Sequence, residues 1–239
     1  MTKTLIISFL FAASFSVAQT SQDSIQLASE NQQNSAQRII SNTLGKKVSL
    51  GGYGEVTYNQ PEGNNGELDV QRLVLLVGYN FNDKVQFVSE IELEHVEEIF
   101  VEQAFINYSI ADNLSLRGGL MLVPMGIINE YHEPTTFNGT ERPGVDNLIV
   151  PTTWREIGVG VAGRIPNASL GYQVYVFNGF KSTASDGDGG LLGVLKGSSG
   201  LRGGRQKGIQ STVDSPTLSV KADYYGILGL RLGLAGYFG

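Results

Sequence analysis

The sequence contains no cysteine, so disulfide bonds and thiolate-bound metal ions are excluded. It has only two histidines, His95 and His132, and neither has a second histidine at ligand spacing, which argues against a zinc site. An excess of basic residues is also missing. The formal net charge of −6 argues against nucleic acid as a partner.

Long hydrophobic runs are absent after the N-terminus. No stretch of about 18 apolar residues occurs there, so no membrane helix is predicted, and any crossing of a bilayer would use strands. Residues 1–18 have the layout of a secretory signal peptide: Lys3 gives a positive start, an apolar core follows, and Ser16-Val17-Ala18 is a small-x-small cleavage site. We therefore predict export.

The polar segment 19–46 is predicted to be a lead-in or a short helix, with a mobile linker as the simpler expectation.

From Val48 onward, polar and apolar residues alternate with a period of two, as in a β-strand with one apolar face. In the clearest strand, Phe87 and Ile91 belong to the apolar row, while Glu90 and Glu92 belong to the polar row. The pattern predicts nine strands, at about residues 48–58, 68–81, 85–94, 99–110, 114–122, 156–165, 170–176, 218–224 and 228–234.

The connections between these strands form two classes. Those near residues 82, 112, 167 and 226 are short, whereas 59–66, 122–153 and 179–214, which fall at alternate positions, are long. Only the connection near residue 96 is short on the long side. One rim of short turns and one rim of long loops is typical of a transmembrane barrel. We therefore predict an all-β fold, a transmembrane antiparallel up-and-down β-barrel over 47–239.

The strand count suggests an incomplete barrel. Single-chain bacterial barrels normally have an even number of strands, so nine strands predict the N-terminal part of a larger barrel, or one strand undetected. The charged residues that the alternation places towards the interior are Glu55, Arg72, Glu90, Glu92, Glu94, Arg117, Glu156, Arg164, Lys221, Asp223 and Arg231. This mixture of signs does not predict strong anion selectivity.

A series of short motifs resembles the phosphate-selective porin family in the form common in Bacteroidetes-like bacteria. The motifs are Arg72 and the segments 102–108, 117–126, 141–143 and 154–160, the last of which reads Trp-Arg-Glu-Ile-Gly-Val-Gly. The resemblance covers about residues 48–239. It implies an outer-membrane barrel of sixteen strands, usually trimeric, whose third long loop folds into the lumen as a constriction.

By this count the third loop on the long-loop rim is 122–153. Its charges, with that of the residue that opens the next strand, would then face one another across the pore and set its ion selectivity. The candidates are Glu130, His132, Glu133, Glu141, Arg142, Asp146 and Arg155.

The sequence thus predicts a porin in the outer membrane of a Gram-negative bacterium, a channel for the passive transport of ions and small hydrophilic solutes. The expected partners are outer-membrane lipid, small solutes or anions, and two further copies in a homotrimer. No catalytic residue, metal or other cofactor is predicted. Two alternatives stay open: an outer-membrane enzyme of the phospholipase type, which needs a serine–histidine pair, and a secreted soluble β-sheet binding protein.

Overall fold

The computed structural model describes residues 9–11, 33–140, 142–148, 150, 152–185, 191–193, 195 and 200–239. The nine predicted strands are present and pair antiparallel in one sheet, each with the next in the series. Their bounds are β2 Val48–Asn59, β3 Glu67–Asn80, β4 Val85–Glu94, β5 Glu98–Ala111, β6 Leu114–Leu122, β7 Arg155–Ile165, β8 Leu170–Phe177, β11 Thr217–Ile227 and β12 Leu230–Phe238.

Three further short strands accompany these. Strand β1 (Phe9–Phe11) pairs with β2, and within the connection from β8 to β11 the strands β9 (Thr183–Ser185) and β10 (Leu191–Gly193) form a separate hairpin. The rest of the predicted signal peptide lies outside the described residues. The helices are α1 (Ser35–Thr43) and α2 (Gly144–Leu148). Neither is long and apolar enough to cross a membrane.

The two faces of the sheet have opposite character. On one face, leucine and valine are exposed: Leu50 is 77%, Leu75 44% and Val159 52% accessible. On the other face, Glu90 and Glu156 are completely buried. Soluble proteins distribute these residue types the other way round. Exposed apolar rows backed by an enclosed charged row are the arrangement of a transmembrane barrel wall, and the predicted up-and-down fold is confirmed.

Strand β5 breaks the alternation because it contains a bulge. Gln103 pairs with Glu90, but the next partner, Ile91, pairs with Val101, so Glu102 is an extra residue in the strand. Both Glu102 and Gln103 are therefore buried on the inner face. The bulge changes which residues of β5 point inwards, which explains why no single period fits its sequence.

One predicted turn is wrong by a few residues. The sequence places a turn at Tyr225-Gly226, but β11 continues through an irregularity to Ile227, and the chain turns at Leu228-Gly229. Gly229 has a φ of +76°, which glycine adopts without strain. The other short turns lie where they are predicted, and the connection 123–154 is long.

Residues 35–43 of the predicted N-terminal lead-in form a short helix, α1, and not a mobile linker. Asn34 caps α1 through a capping box with Gln37, which satisfies two backbone N–H groups at the start of the helix. Ala36 and Ile39 are buried in a cluster with apolar side chains of the inner face, including Val74. Helix α1 therefore lies on the charged, enclosed side of the sheet, against β2, β3 and β4.

The outer face gives a direct test of membrane insertion. Leu75 lies near the middle of β3, so Leu75→Arg would place a charge at the depth where the bilayer is most apolar. We expect this change to lower the free energy of unfolding in lipid vesicles by about 2–4 kcal/mol, measured by denaturant titration.

The matched control is Leu68→Arg, at the end of the same strand near the long-loop rim. There the cost should be only about 0–1 kcal/mol. Equal losses at the two positions would contradict a wall that crosses the bilayer.

Candidate pore interior

The connection between β6 and β7, residues 123–154, folds onto the inner face of the sheet; we call it the inner loop. Glu130 in this loop contacts Lys221 of β11, and Tyr131 accepts a hydrogen bond from Arg231 of β12. The loop thus crosses from its origin to the far edge of the sheet. This is the loop that the sequence predicts to be the constriction, and that role stays a prediction.

The base of the inner loop is closed by Asn129, which is completely buried. Its Nδ2 donates to the carbonyl oxygens of Val123 and Trp154 at 2.7 and 2.9 Å, and its Oδ1 accepts from the backbone N–H of Trp154 at 2.7 Å. The Trp154 ring stacks on Phe180 with centroids 4.9 Å apart and contacts Tyr237 at 4.7 Å. Both ends of the loop are therefore held in place.

Glu130 joins four parts of the interior. Its Oε2 lies 2.5 Å from Lys221 Nζ, and its Oε1 accepts from Gln173 Nε2 at 2.8 Å and from Asn34 Nδ2 at 3.3 Å. These partners belong to β11, to β8 and to the cap of α1. One buried carboxylate thus connects the loop, the helix and two strands of the wall.

Ion pairs compensate most of the other inner charges. Arg72 lies between Glu55, at 2.8 Å, and Glu92, at 3.0 Å, and all three side chains are buried. Arg155 Nη1 lies 2.7 Å from Glu102, and Arg231 Nη2 lies 2.9 Å from Asp223. The pairs join neighbouring strands, or in the case of Arg155 and Glu102 two strands that flank β6, so they connect the strands across the inner face.

The constriction candidates do not share one environment. Glu130 and His132 are buried, and His132 Nε2 lies 3.7 Å from Glu90 Oε1. Glu133 pairs with Arg38 of α1. Arg142 donates to the Thr152 carbonyl at 2.9 Å. Three candidates remain. Asp146 is half-buried in α2, Arg155 is the first residue of β7 and forms an ion pair with Glu102, and Glu141 lies outside the described residues.

The charges predicted from strand parity lie on the inner face. Most are buried, while Glu94, Arg117 and Arg231 are half-buried. Arg164 is exposed at the short-turn rim. The alternation therefore identified most of the inner charges of the strands but could not give the depth at which each lies.

Several residues of the interior escaped prediction. Glu102 was hidden by the bulge in β5, and Arg38 and Asn34 lie in a segment whose composition suggested a linker. Asn129 carries no local signal, because its partners lie at the two ends of a long loop. The one available signal is the Asn34–Gln37 capping box, which marks a helix start.

Positive charges crowd at the base of the inner loop. Arg142 and Arg205 donate to the carbonyl oxygens of Thr152 and Thr153. Burial, together with the nearby charges of Arg202 and Arg155, lowers the pKa of Arg205 to about 10. With this pKa the Arg205 guanidinium is still protonated at neutral pH.

A cavity of about 400 Å³ occupies the short-turn end of the interior. One side is formed by α1 and the other by the inner faces of β6–β8, β11 and β12. Its charged lining consists of three arginines and two aspartates, Arg117, Arg164, Arg231, Asp112 and Asp223. Among the residues that the structure describes, the hydrogen-bond partners of Arg117 are neutral: it donates to Asn107 Oδ1 at 3.0 Å and to the Tyr175 hydroxyl at 3.3 Å. The cavity can therefore hold water and charged solutes.

Comparison with known proteins gives little functional information. No family model matches the chain, so its membership of the phosphate-selective porin family stays a prediction. An uncharacterized protein of Aquifex aeolicus (strain VF5) is 39% identical over 189 residues, which cover 75% of this chain and 41% of the relative. The chain thus spans about two fifths of the length of the curated relative that it matches.

Among solved structures, the chain is similar to OmpTdeltaL8, a loop L8 deletion mutant of OmpT, an outer membrane protein of Vibrio cholerae. The TM-score is 0.33 and the identity 8%, with 80% of this chain and 69% of that chain covered. The fold assignment therefore depends on the strand pairing and the side-chain exposure described above.

The Lys221–Glu130 pair should dominate the stability of the loop. Lys221→Met leaves the Glu130 carboxylate buried without its cation, so we expect the free energy of unfolding to fall by about 3–5 kcal/mol. Equilibrium denaturation in detergent or lipid measures this loss.

The double variant Lys221→Met/Glu130→Gln should recover much of the loss, because no uncompensated charge remains. Lys84→Met, in an exposed turn, is the matched control and should change stability by no more than about 0.5 kcal/mol. A Lys221→Met variant as stable as this control would contradict the central position of the pair.

Proposed function

We propose that the protein is an outer-membrane porin, a non-enzymatic channel for passive diffusion of ions and small hydrophilic solutes. The observation that carries the proposal is a polar cavity on the charged side of a sheet whose other side is apolar and exposed. Such a wall separates lipid from water. A water-filled interior needs no covalent chemistry to conduct.

The inner loop supports the proposal because it narrows the interior from within. A loop of this length on the surface of a soluble protein would normally be solvated. Here it turns inwards and is held by Glu130, Asn129 and the aromatic contacts of Trp154. A constriction fixed to the wall is the element that sets the diameter and selectivity of a pore.

The interior charges favour weak selectivity. Acidic and basic side chains form ion pairs along the wall. The described lining of the cavity has a net charge of only +1, from three arginines and two aspartates. A phosphate-specific pore would need a row of cations without acidic partners. We therefore propose small ions and solutes as the permeant class and do not extend the proposal to phosphate.

The outer membrane is the proposed location because the chain combines a predicted signal peptide with a strand-built membrane wall. The homotrimer implied by the porin resemblance remains part of the proposal. The lipid of the outer membrane would cover the exposed apolar rows.

The histidine environments favour a channel over a hydrolase. His95 lies in a turn and contacts Asp69 at 2.7 Å, and His132 Nδ1 is engaged by the Asn129 carbonyl. The Ser35 hydroxyl, which lies in the same buried cluster as His132, donates to Glu90 at 2.6 Å. Within the described residues, no serine is hydrogen-bonded to a histidine.

Planar-bilayer recording of the full-length protein tests the function. Discrete conductance steps in potassium chloride are expected. Their absence at every voltage, with protein shown to be inserted, would refute the porin proposal.

Selectivity can be tested at the cavity. Arg164→Glu changes the net charge of the described lining from +1 to −1, so we expect the reversal potential in a salt gradient to shift towards cation permeation. Lys84→Glu makes the same charge change at the same rim but outside the cavity, and should leave the reversal potential close to that of the wild type. Equal shifts of the reversal potential in the two variants would show that the conducting path does not run through this cavity.

A further inference from the structure

We propose that helix α1 is a gate inside the lumen: docked against the wall and the inner loop it narrows the pore, and undocked it widens the pore. This inference rests on the proposed porin function. It assigns a role to a segment outside the strands and outside the predicted constriction.

The helix occupies space that would otherwise belong to the lumen. Its apolar side, with Ala36 and Ile39, packs on the inner face of β3 and β4. Its other side, with Gln37, Ile40 and Ser41, lines the cavity. Every solute that crosses the cavity therefore passes along α1.

The helix also closes the inner end of the cavity. Asn34, its cap, donates to Glu130 at the point where Gln173 and Lys221 meet the same carboxylate. Only a small space of about 20 Å³ remains between the helix, the loop and the wall there. Removing α1 from this position would join this space to the cavity and widen the path.

A polar clamp holds the helix to the inner loop. The Arg38 guanidinium makes two hydrogen bonds to the Glu133 carboxylate, at 3.1 and 2.5 Å. Their side chains are 36% and 15% exposed, so water can replace these bonds. At the N-terminal end of α1, the Ser35 hydroxyl donates to Glu90, which also accepts from Gln103 at 2.7 Å.

The C-terminal end of the helix has the features of a hinge. Asn80 Nδ2 donates to the carbonyl oxygens of Thr43 and Lys46, both at 2.6 Å, and keeps this end on β3. Between these two residues, Gly45 has a φ of +70° and open space around it. The N-terminal end can therefore leave the loop while the C-terminal end stays attached.

Docking depends on a glycine in the wall. A Cβ added at Gly78 would lie 2.0 Å from Thr43 Oγ1 and 2.9 Å from Ile39 Cγ2, both on α1, and 2.6 Å from Ser49 Oγ. All three are side-chain atoms, and no backbone atom of the sheet is among them. A larger residue at this position would push on Ile39 and Thr43, in the C-terminal half of α1, and tilt the helix off the wall about Gly45. In the sheet, only the Ser49 hydroxyl of the paired strand would have to rotate.

The test compares Gly78→Val with Gly51→Val in single-channel recordings of the full-length protein. Gly51 lies on the inner face of β2, where an added Cβ meets nothing closer than Leu76 Cβ at 3.8 Å. We expect a larger main conductance level, by about one half or more, for Gly78→Val, and a wild-type level for Gly51→Val. Since the chain has no cysteine, Ile39→Cys in each background reports docking by its reaction with a charged maleimide.

The outcomes separate the gate from the porin. A conducting wild type, with faster maleimide labelling of the Ile39→Cys thiol in the Gly78→Val background but unchanged conductance, would overturn the gate and leave the porin intact. No conductance in the wild type or in either variant would overturn the porin, and the gate with it. If Gly78→Val fails to insert, Ala36→Asp/Ile39→Asp undocks the helix without changing the wall, and conductance unchanged from the wild type again overturns the gate.

A charge exchange tests the clamp independently. Arg38→Glu places two carboxylates in contact and should increase both the conductance and the frequency of transitions between levels. Adding Glu133→Arg restores an ion pair of opposite orientation and should return both quantities to wild-type values. An exchange variant that behaves like Arg38→Glu alone would show that the pair does not hold the gate.

Discussion

The carboxylate of Glu130 is the interaction on which the interior depends. A buried charge is tolerated only if it is paired and hydrogen-bonded, and this one has a cation and two amide donors. Because those partners come from separate parts of the chain, satisfying one charge fixes a loop, a helix and two strands at once. The position of the inner loop is thus a consequence of desolvation, not of loop length or sequence propensity.

The sheet itself could be predicted because its cause is local geometry. Successive side chains of a strand point to opposite faces, so apolar and polar residues must alternate along each strand of a wall between lipid and water. The nine strands could be predicted for that reason. The prediction failed where an extra residue interrupts the period, at Glu102, and where β11 continues past Tyr224 to a turn at Gly229. Both are irregularities of backbone pairing, which a side-chain pattern does not record.

The interior was less predictable because its contacts connect distant residues. Nothing near Glu130 indicates that its cation lies at Lys221, which is 91 residues away. The docking of α1 depends on the lack of a side chain at Gly78, and a glycine in a strand gives no indication of its neighbour. Sequence alone could therefore list most of the inner charges of the strands but could not pair them or place the helix.

The distances along the chain between contacting residues suggest an order of assembly. The wall is made of pairs between strands that follow one another, whereas the bonds to Glu130 from Asn34 and Lys221 connect residues 96 and 91 positions apart. Short-range pairs form first, since closing a long loop costs more entropy. The docking surface of α1 consists of side chains from three strands and does not exist until those strands have paired. The sheet would thus form with its interior still open, and the docking of the inner loop and α1 would be the last step of folding.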